Sequence, residues 1–192
     1  MTDVSAGSND QTTGVSALPY RLAVLCYLFD DAGRLLLLHR QKQPNSGMYS
    51  PIGGKLELAL GESPQACALR EIHEEAGLQL EAEDVRLLGL LSETAYEGET
   101  HWLIFLFEVT RPINPSEITN MVINEGELKW ISPDCVQDLE IPETDRRALW
   151  PTVQEHRGGF FMMHIDCTVD PFTWNLQESI APSAGGGLER RD

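Results

Sequence analysis

At 192 residues, 42% of them hydrophobic, the chain is long enough for one domain with a substantial core. Its 14 Lys+Arg against 30 Asp+Glu give a net charge of −16, which argues against a nucleic-acid polymer or an anionic membrane as partner. No apolar run of the ~18 residues a membrane helix needs and no charged-then-apolar N-terminal signal is present, so the expectation is a soluble cytoplasmic protein.

The first element in chain order is a Ser-, Thr-, Gly- and Asn-rich stretch over 1–17, expected to be a mobile leader. One domain is expected over 18–181, and a mobile Gly-rich tail over 182–192. Leu22 to Phe29 reads as a strand, Asp30 to Gly33 as a turn, and Arg34 to Arg40 as a second strand, together suggesting a hairpin. Within it, Leu35 to Leu38 is a continuous apolar run suited to a strand covered on both faces. A polar loop over 41–47 follows, and Met48 to Ile52 returns the chain to the sheet ahead of Gly53-Gly54.

The next element reads as a helix with both ends written in. Ser63 is a preferred N-cap, Pro64 suits the first helical position, and Gly77 suits the left-handed residue that closes the helix. At about 100° per residue, Ala66, Leu69, Ile72 and Ala76 form an apolar stripe expected on the core. Glu71, Glu74 and Glu75 fall on another face, where like charges at i, i+3 and i+4 repel. Either that face is solvated, or it holds a divalent cation that removes the repulsion. Carboxylate oxygens suit magnesium or manganese, and composition alone leaves both readings open.

Beyond the helix, Val85 to Ser92 reads as a strand, Glu93 to Thr100 as an acidic connection, and His101 to Val109 as an aromatic, β-branched strand. Arg111 to Asn120 is read as a loop and Glu127 to Ile131 as a short strand. Thr144 to His156 is read as helical, with Pro151 kinking or ending its first part. Phe160 to Cys167 is read as a final strand, and Val169 to Ile180 receives no assignment. Strands interleaved with two helices give an α/β arrangement with a mixed sheet. Cys26, Cys67, Cys135 and Cys167 lack C-x-x-C spacing and are read as free thiols. His39, His73, His101 and His164 lack metal-ligand spacing.

Arg70-Glu71-Ile72-His73-Glu74-Glu75-Ala76-Gly77-Leu78 resembles the second half of the Nudix box, the signature of the Nudix (MutT-like) hydrolases, and Glu62 precedes Arg70 by the family's seven-residue gap. The first half departs: Gly54 and Glu62 enclose seven residues where the family has five, an insertion placed at Leu58-Ala59-Leu60. At least one of those leucines is expected to be covered, by the core or by a second subunit, because an exposed leucine is unfavourable by roughly 1.5–3 kcal/mol relative to a buried one.

The resemblance implies the Nudix α/β/α sandwich and a magnesium- or manganese-dependent pyrophosphohydrolase. By it, Glu74 and Glu75 are the principal metal ligands and Glu71 a ligand or the water-activating base. Arg70 orients them, Glu62 supports them, and the Gly54 carbonyl completes the coordination. Glu125, with Glu127 in reserve, resembles the family's downstream ligand ahead of Trp130. Arg40 and Lys55 flank the elements leading into the box and are the candidate phosphate contacts. Tyr49, Trp102, Phe161, Trp174 and Asn175 could form a base platform, or simply be core and surface residues. The expected substrate is a nucleoside diphosphate derivative, foremost an ordinary or oxidised (d)NTP cleaved to the monophosphate, acted on by a monomer or homodimer. A dinucleoside polyphosphate or ADP-ribose-type substrate is the alternative. A non-catalytic ligand-binding module is the contrasting class, and retention of all three helix glutamates argues against it.

Overall fold

The computed structural model describes residues 18–43 and 45–182, so the expected leader, Pro44 in the polar loop, and the tail from 183 onward lie outside the described residues. In chain order the strands are β1 (Tyr20–Tyr27), β2 (Leu35–Arg40), β3 (Tyr49–Ser50), β4 (Val85–Tyr96), β5 (Thr100–Val109), β6 (Val122–Ile123), β7 (Gly126–Ile131), β8 (Phe160–Asp166) and β9 (Thr173–Ile180). The helices are α1 (Pro64–Ala76) and α2 (Trp150–His156). One sheet is mixed, in the order β1-β5-β4-β8-β9, with β1 parallel to β5 and β4 parallel to β8. The other is antiparallel, in the order β3-β2-β7-β6.

Alternation along the strands creates two cores. Val24, Cys26, Leu36 and Leu38 pack beneath α1 with Ala68, Ile72 and Ala76. Tyr27, Leu35 and Leu37 point the other way, onto Leu149, Trp150 and Val153 at α2. The continuous apolar run of β2 is therefore covered on both faces, as expected, and the layers form an α/β/α sandwich. The four cysteines are unpaired. Among the described residues no helix is long and apolar enough to cross a membrane.

The expected β1–β2 hairpin is not formed. The two strands meet only near the turn, through a Phe29–Leu35 bridge and a Leu36 N–H to Leu28 carbonyl bond of 2.9 Å, and then enter different sheets. β1 instead pairs along its whole length with β5, whose apolar residues offer a longer ladder. The stretch expected as an acidic connection is largely strand, because β4 runs on to Tyr96. The irregularity expected at Pro151 lies before it: Asp145–Leu149 is a π-helical turn, and Pro151 sits comfortably in the first turn of α2.

Helix α1 has its expected ends. Ala66 N–H donates to Ser63 Oγ at 3.2 Å, and Gly77, at φ 72°, donates to the His73 carbonyl at 3.0 Å. Its buried face is rotated from the expected stripe, however: Ala66 is exposed and Leu69 half-buried, while Cys67, Ala68, Ile72, Glu75 and Ala76 are buried. The small side chains at 67 and 68 let the helix sit close on the sheet, and that carries Glu75 inward.

The inserted Leu58–Leu60 forms a single tight turn, closed by Gly61 in the left-handed region. The domain's own core does not cover them: within the single chain Leu58 is 60% and Leu60 77% exposed. Glu57 N–H donates to the Glu62 carboxylate at 2.8 Å, closing the base of the turn so that the extra residues project outward. Leu56 takes the core position instead.

A Cβ at Gly53 would overlap the Val24 carbonyl oxygen, which is backbone and cannot yield. Gly53→Ala is expected to destabilise the fold by about 1–3 kcal/mol, whereas Leu60→Ser should stay within about 0.5 kcal/mol. Urea unfolding of both variants checks the contrast.

Candidate active site

The site begins with backbone pairing. After β3 the chain runs antiparallel to β1: Cys26 N–H donates to the Ile52 carbonyl at 2.7 Å, Val24 N–H to the Gly54 carbonyl at 2.8 Å, and Leu56 N–H to the Leu22 carbonyl at 3.1 Å. This lays Gly53 and Gly54 flat beneath α1. A Cβ on Gly54 would fall on the Glu71 carboxylate, so glycine here is what lets Glu71 lie against the loop. Glu75 is 6% exposed and accepts the Gly53 N–H at 3.3 Å. The Gly54 carbonyl, an expected ligand, already accepts the Val24 N–H.

Arg70 gathers the remaining acids. Its Nε and Nη2 donate to the two oxygens of Glu62 at 2.8 and 3.0 Å, its Nη1 to Glu71 at 2.6 Å and to Glu74 at 3.3 Å, and its Nη2 to the Lys55 carbonyl at 3.3 Å. The Arg70 hydrogen bonds hold the Glu62 carboxyl down to about 2, and the same contacts raise Arg70 itself. Burial acts the other way on the inner acids. It raises Glu71 and, reinforced by the neighbouring charges of Glu125 and Glu71, pushes Glu75 up to about 8.

A cleft of about 440 Å³ opens beside this cluster. Of the residues expected from the sequence, Glu71, Gly54, Lys55, Arg40 and Glu125 line it. Glu75 lies behind Gly53, and Arg70 and Glu62 lie behind the loop. The Glu74 side chain is 56% exposed and turned to Arg70. Glu125 faces Arg40 across 3.4 Å, whereas Glu127 pairs with Lys129, so position 125 is the one aimed at the cleft. Tyr49 is not at the cleft: it stacks on His39 with centroids 4.5 Å apart. Phe161 is core, and Trp174 and Asn175 lie on the exposed strand β9. Of the aromatics named for a base platform, Trp102 alone lines the cleft. Sequence reasoning missed Glu93, Thr144 and Asp145 as cleft residues, and Asp145 is placed there by a π-helical turn that no local pattern announces.

Among the described residues no three His, Cys, Asp or Glu side chains are gathered to hold a metal ion as they stand, because Arg70 draws Glu71 and Glu74 toward itself. The donor chemistry nonetheless fits a hard divalent cation. Glu71, Glu75 and Glu125 are oxygen donors near one another, the Glu125 charge raising both Glu71 and Glu75, and Gly54 leaves space for Glu71.

The family model described as NUDIX domain matches residues 19–150. A Mycobacterium tuberculosis protein assigned by name as 8-oxo-dGTP diphosphatase 3 is 31% identical over 119 residues, covering 58% of this chain and 50% of that protein. An RNA pyrophosphohydrolase of Gluconobacter oxydans is 42% identical over 67 residues, covering 35% of this chain and 38% of that protein. The chain thus spans half or less of these relatives' length. Among solved structures, the MutT protein of Bacillus halodurans superposes with a TM-score of 0.64 at 23% identity, over 82% of this chain and 97% of that one. The NUDIX domain of Shewanella oneidensis NrtR, solved with ADP ribose, gives 0.56 at 15% identity, over 77% and 93%. At these identities the two structures bear on the fold alone.

The Glu62 shift has a testable sign. Its carboxyl is lowered from 4.5 to about 2, so the pairing with Arg70 stabilises the fold fully above pH 4.5 and is lost as pH falls toward 2. The gap in Tm between the wild type and Glu62→Gln is expected to be widest near neutrality and to close through that window. A gap unchanged down to pH 2 would assign the stability elsewhere.

Proposed function

The chain belongs to the Nudix family of hydrolases, and we propose that it is a divalent-metal-dependent pyrophosphohydrolase of the cytoplasmic nucleotide pool. Its substrates are nucleoside diphosphate derivatives, foremost ordinary or oxidised (d)NTPs. Water adds across an internal phosphoanhydride, giving the monophosphate and pyrophosphate, with catalysis confined to 18–181. The observation that carries this reading is the cleft wall on which Glu71 and Glu125 stand beside Arg40 and Lys55. The name of the M. tuberculosis relative supports the oxidised-dNTP preference.

Glu71, Glu74, Glu75 and Glu125 would hold magnesium or manganese. When bound, the ion supplies charge neutralisation at the phosphate oxygens. Lys55 and Arg40 bring fixed positive charge to the polyphosphate, which an acidic chain cannot otherwise attract. Arg70, itself held by both oxygens of Glu62, fixes the rotamers of Glu71 and Glu74. Glu71, half-buried with its proton affinity raised and lining the cleft, would alternatively act as the base for the attacking water instead of as a ligand.

EDTA is expected to abolish hydrolysis of a (d)NTP, and magnesium or manganese to restore it; full turnover in metal-free buffer refutes the mechanism. Glu74→Gln and Glu75→Gln are each expected to lower kcat by about a hundredfold or more while the protein stays folded. Circular dichroism alongside phosphatase-coupled phosphate release separates loss of chemistry from loss of fold.

A further inference from the structure

The β8–β9 hairpin lies beyond the residues matched by the family model, 19–150, and forms one border of the mixed sheet. Its outer strand, β9, is exposed at every position from Thr173 to Ile180. The strand is nevertheless firmly placed. Phe172, just ahead of it, packs against the core beside α2 and carries Arg147 over its ring at 4.8 Å. Ser179 Oγ lies 2.7 Å from Nε2 of the buried His156, and a Cβ on Gly159 would overlap the Ile180 carbonyl.

An open strand edge presents a row of unpaired N–H and C=O groups, which folded proteins blunt by shortness, cover, proline, lysine or a bulge. Among the described residues the two sheets have four edges, and three are blunted. β3 and β6, the borders of the antiparallel sheet, have two residues each. At β1 the outward N–H groups of Val24 and Cys26 donate to the Gly54 and Ile52 carbonyls. β9 differs. It has eight residues, contains no Pro, Lys or Arg, and makes no backbone hydrogen bond on its outer side among the described residues. Trp174 (46% exposed), Leu176 (39%) and Ile180 (54%) stand along it.

This edge is its own complement. Residues opposite one another in antiparallel strands share a sheet face. Against β8, Trp174 and Ser179 share the face of Ile165 and Phe161, toward α2. Thr173, Asn175, Glu178 and Ile180 take the other face, and the change of phase is a bulge at Gln177. Two copies of β9 laid antiparallel about a twofold axis, with Thr173 opposite Ile180, set Trp174 opposite Ser179 and Asn175 opposite Glu178. Each of these pairs joins residues of one face. Without the bulge, the same full-length register would oppose residues of different faces. Glu178, the strand's one charge, meets an amide donor instead of its own copy. In a chain of net charge −16, that is a seam two copies share without like charges opposed.

We infer that the chain self-associates through β9, two copies pairing these edges antiparallel so that their five-stranded sheets become one continuous sheet. Pairing satisfies the outward backbone groups and gathers Trp174 and Leu176 of both copies on one side of the seam. The inference is independent of the substrate.

Sedimentation equilibrium of the full chain across the micromolar range, with hydrogen exchange of the β9 amides at the same concentrations, tests it. A dimer is expected, with β9 protection that falls as the dimer dissociates on dilution. Asn175→Glu sets like charges opposite one another twice per dimer and should raise the dissociation constant about tenfold. Adding Glu178→Lys turns both repulsions into attractions and should return the constant to within about threefold of wild type. If Asn175→Glu fails to fold by circular dichroism, Leu176→Lys, at the centre of the seam, is expected to weaken the dimer in its place. A wild type that stays monomeric, or β9 amides equally protected in monomer and dimer, overturns the inference. So does a dimer indifferent to these substitutions in folded protein, or a loss that Glu178→Lys does not rescue.

Discussion

Three backbone hydrogen bonds between β1 and the Ile52–Leu56 stretch set the position of everything that follows. They require a flat strand passing close beneath a helix, and Gly53 and Gly54 meet that requirement by having no side chain. The Gly53 Cα faces the Val24 carbonyl, and the Gly54 Cα faces the Glu71 carboxylate. With the loop in place, α1 settles on the sheet through Ala68, Ile72 and Ala76. Glu75, one residue before Ala76, is then carried under the loop, where the Gly53 N–H meets it. The same packing that stabilises the helix thus buries a carboxylate that would otherwise be solvated.

Burying acid in a chain of net charge −16 needs compensation, and the structure supplies it unevenly. Arg70 neutralises the outer acids, with the geometry of a fork against Glu62 and single contacts to Glu71 and Glu74. At Glu75 burial together with the like charges of Glu125 and Glu71 outweighs the Gly53 N–H and the Arg40 charge, and its proton affinity rises.

The insertion at Leu58–Leu60 shows how a local change can be absorbed. The pairing of Glu57 N–H with the Glu62 carboxylate spans the base of the turn, so two extra residues loop outward and neither Ser63 nor the register of α1 shifts. Burial of the leucines was the expectation because hydrocarbon avoids water. Within the chain the closed turn keeps both leucines at the surface, and Leu56 is the residue of this loop that joins the core.

The amino-acid sequence by itself determined the helix from Ser63 to Gly77, the strand identities of β2 and β5, and the glutamate spacing of the box. Caps, propensities and periodicities act over a few residues, and those residues are adjacent in the chain. Tertiary structure alone decided the rest. β1 left β2 for β5 because a long parallel ladder outweighs a short turn contact. The face of α1 was rotated by whichever side chains were small enough to meet the sheet, and Tyr49 was drawn to His39 instead of the cleft. Glu93 and Asp145, far apart in the chain, came to one wall only because β4 outran its expected end and a π-helical turn preceded α2. Those outcomes depend on pairings between distant segments, whose energies appear only once the sheets are assembled.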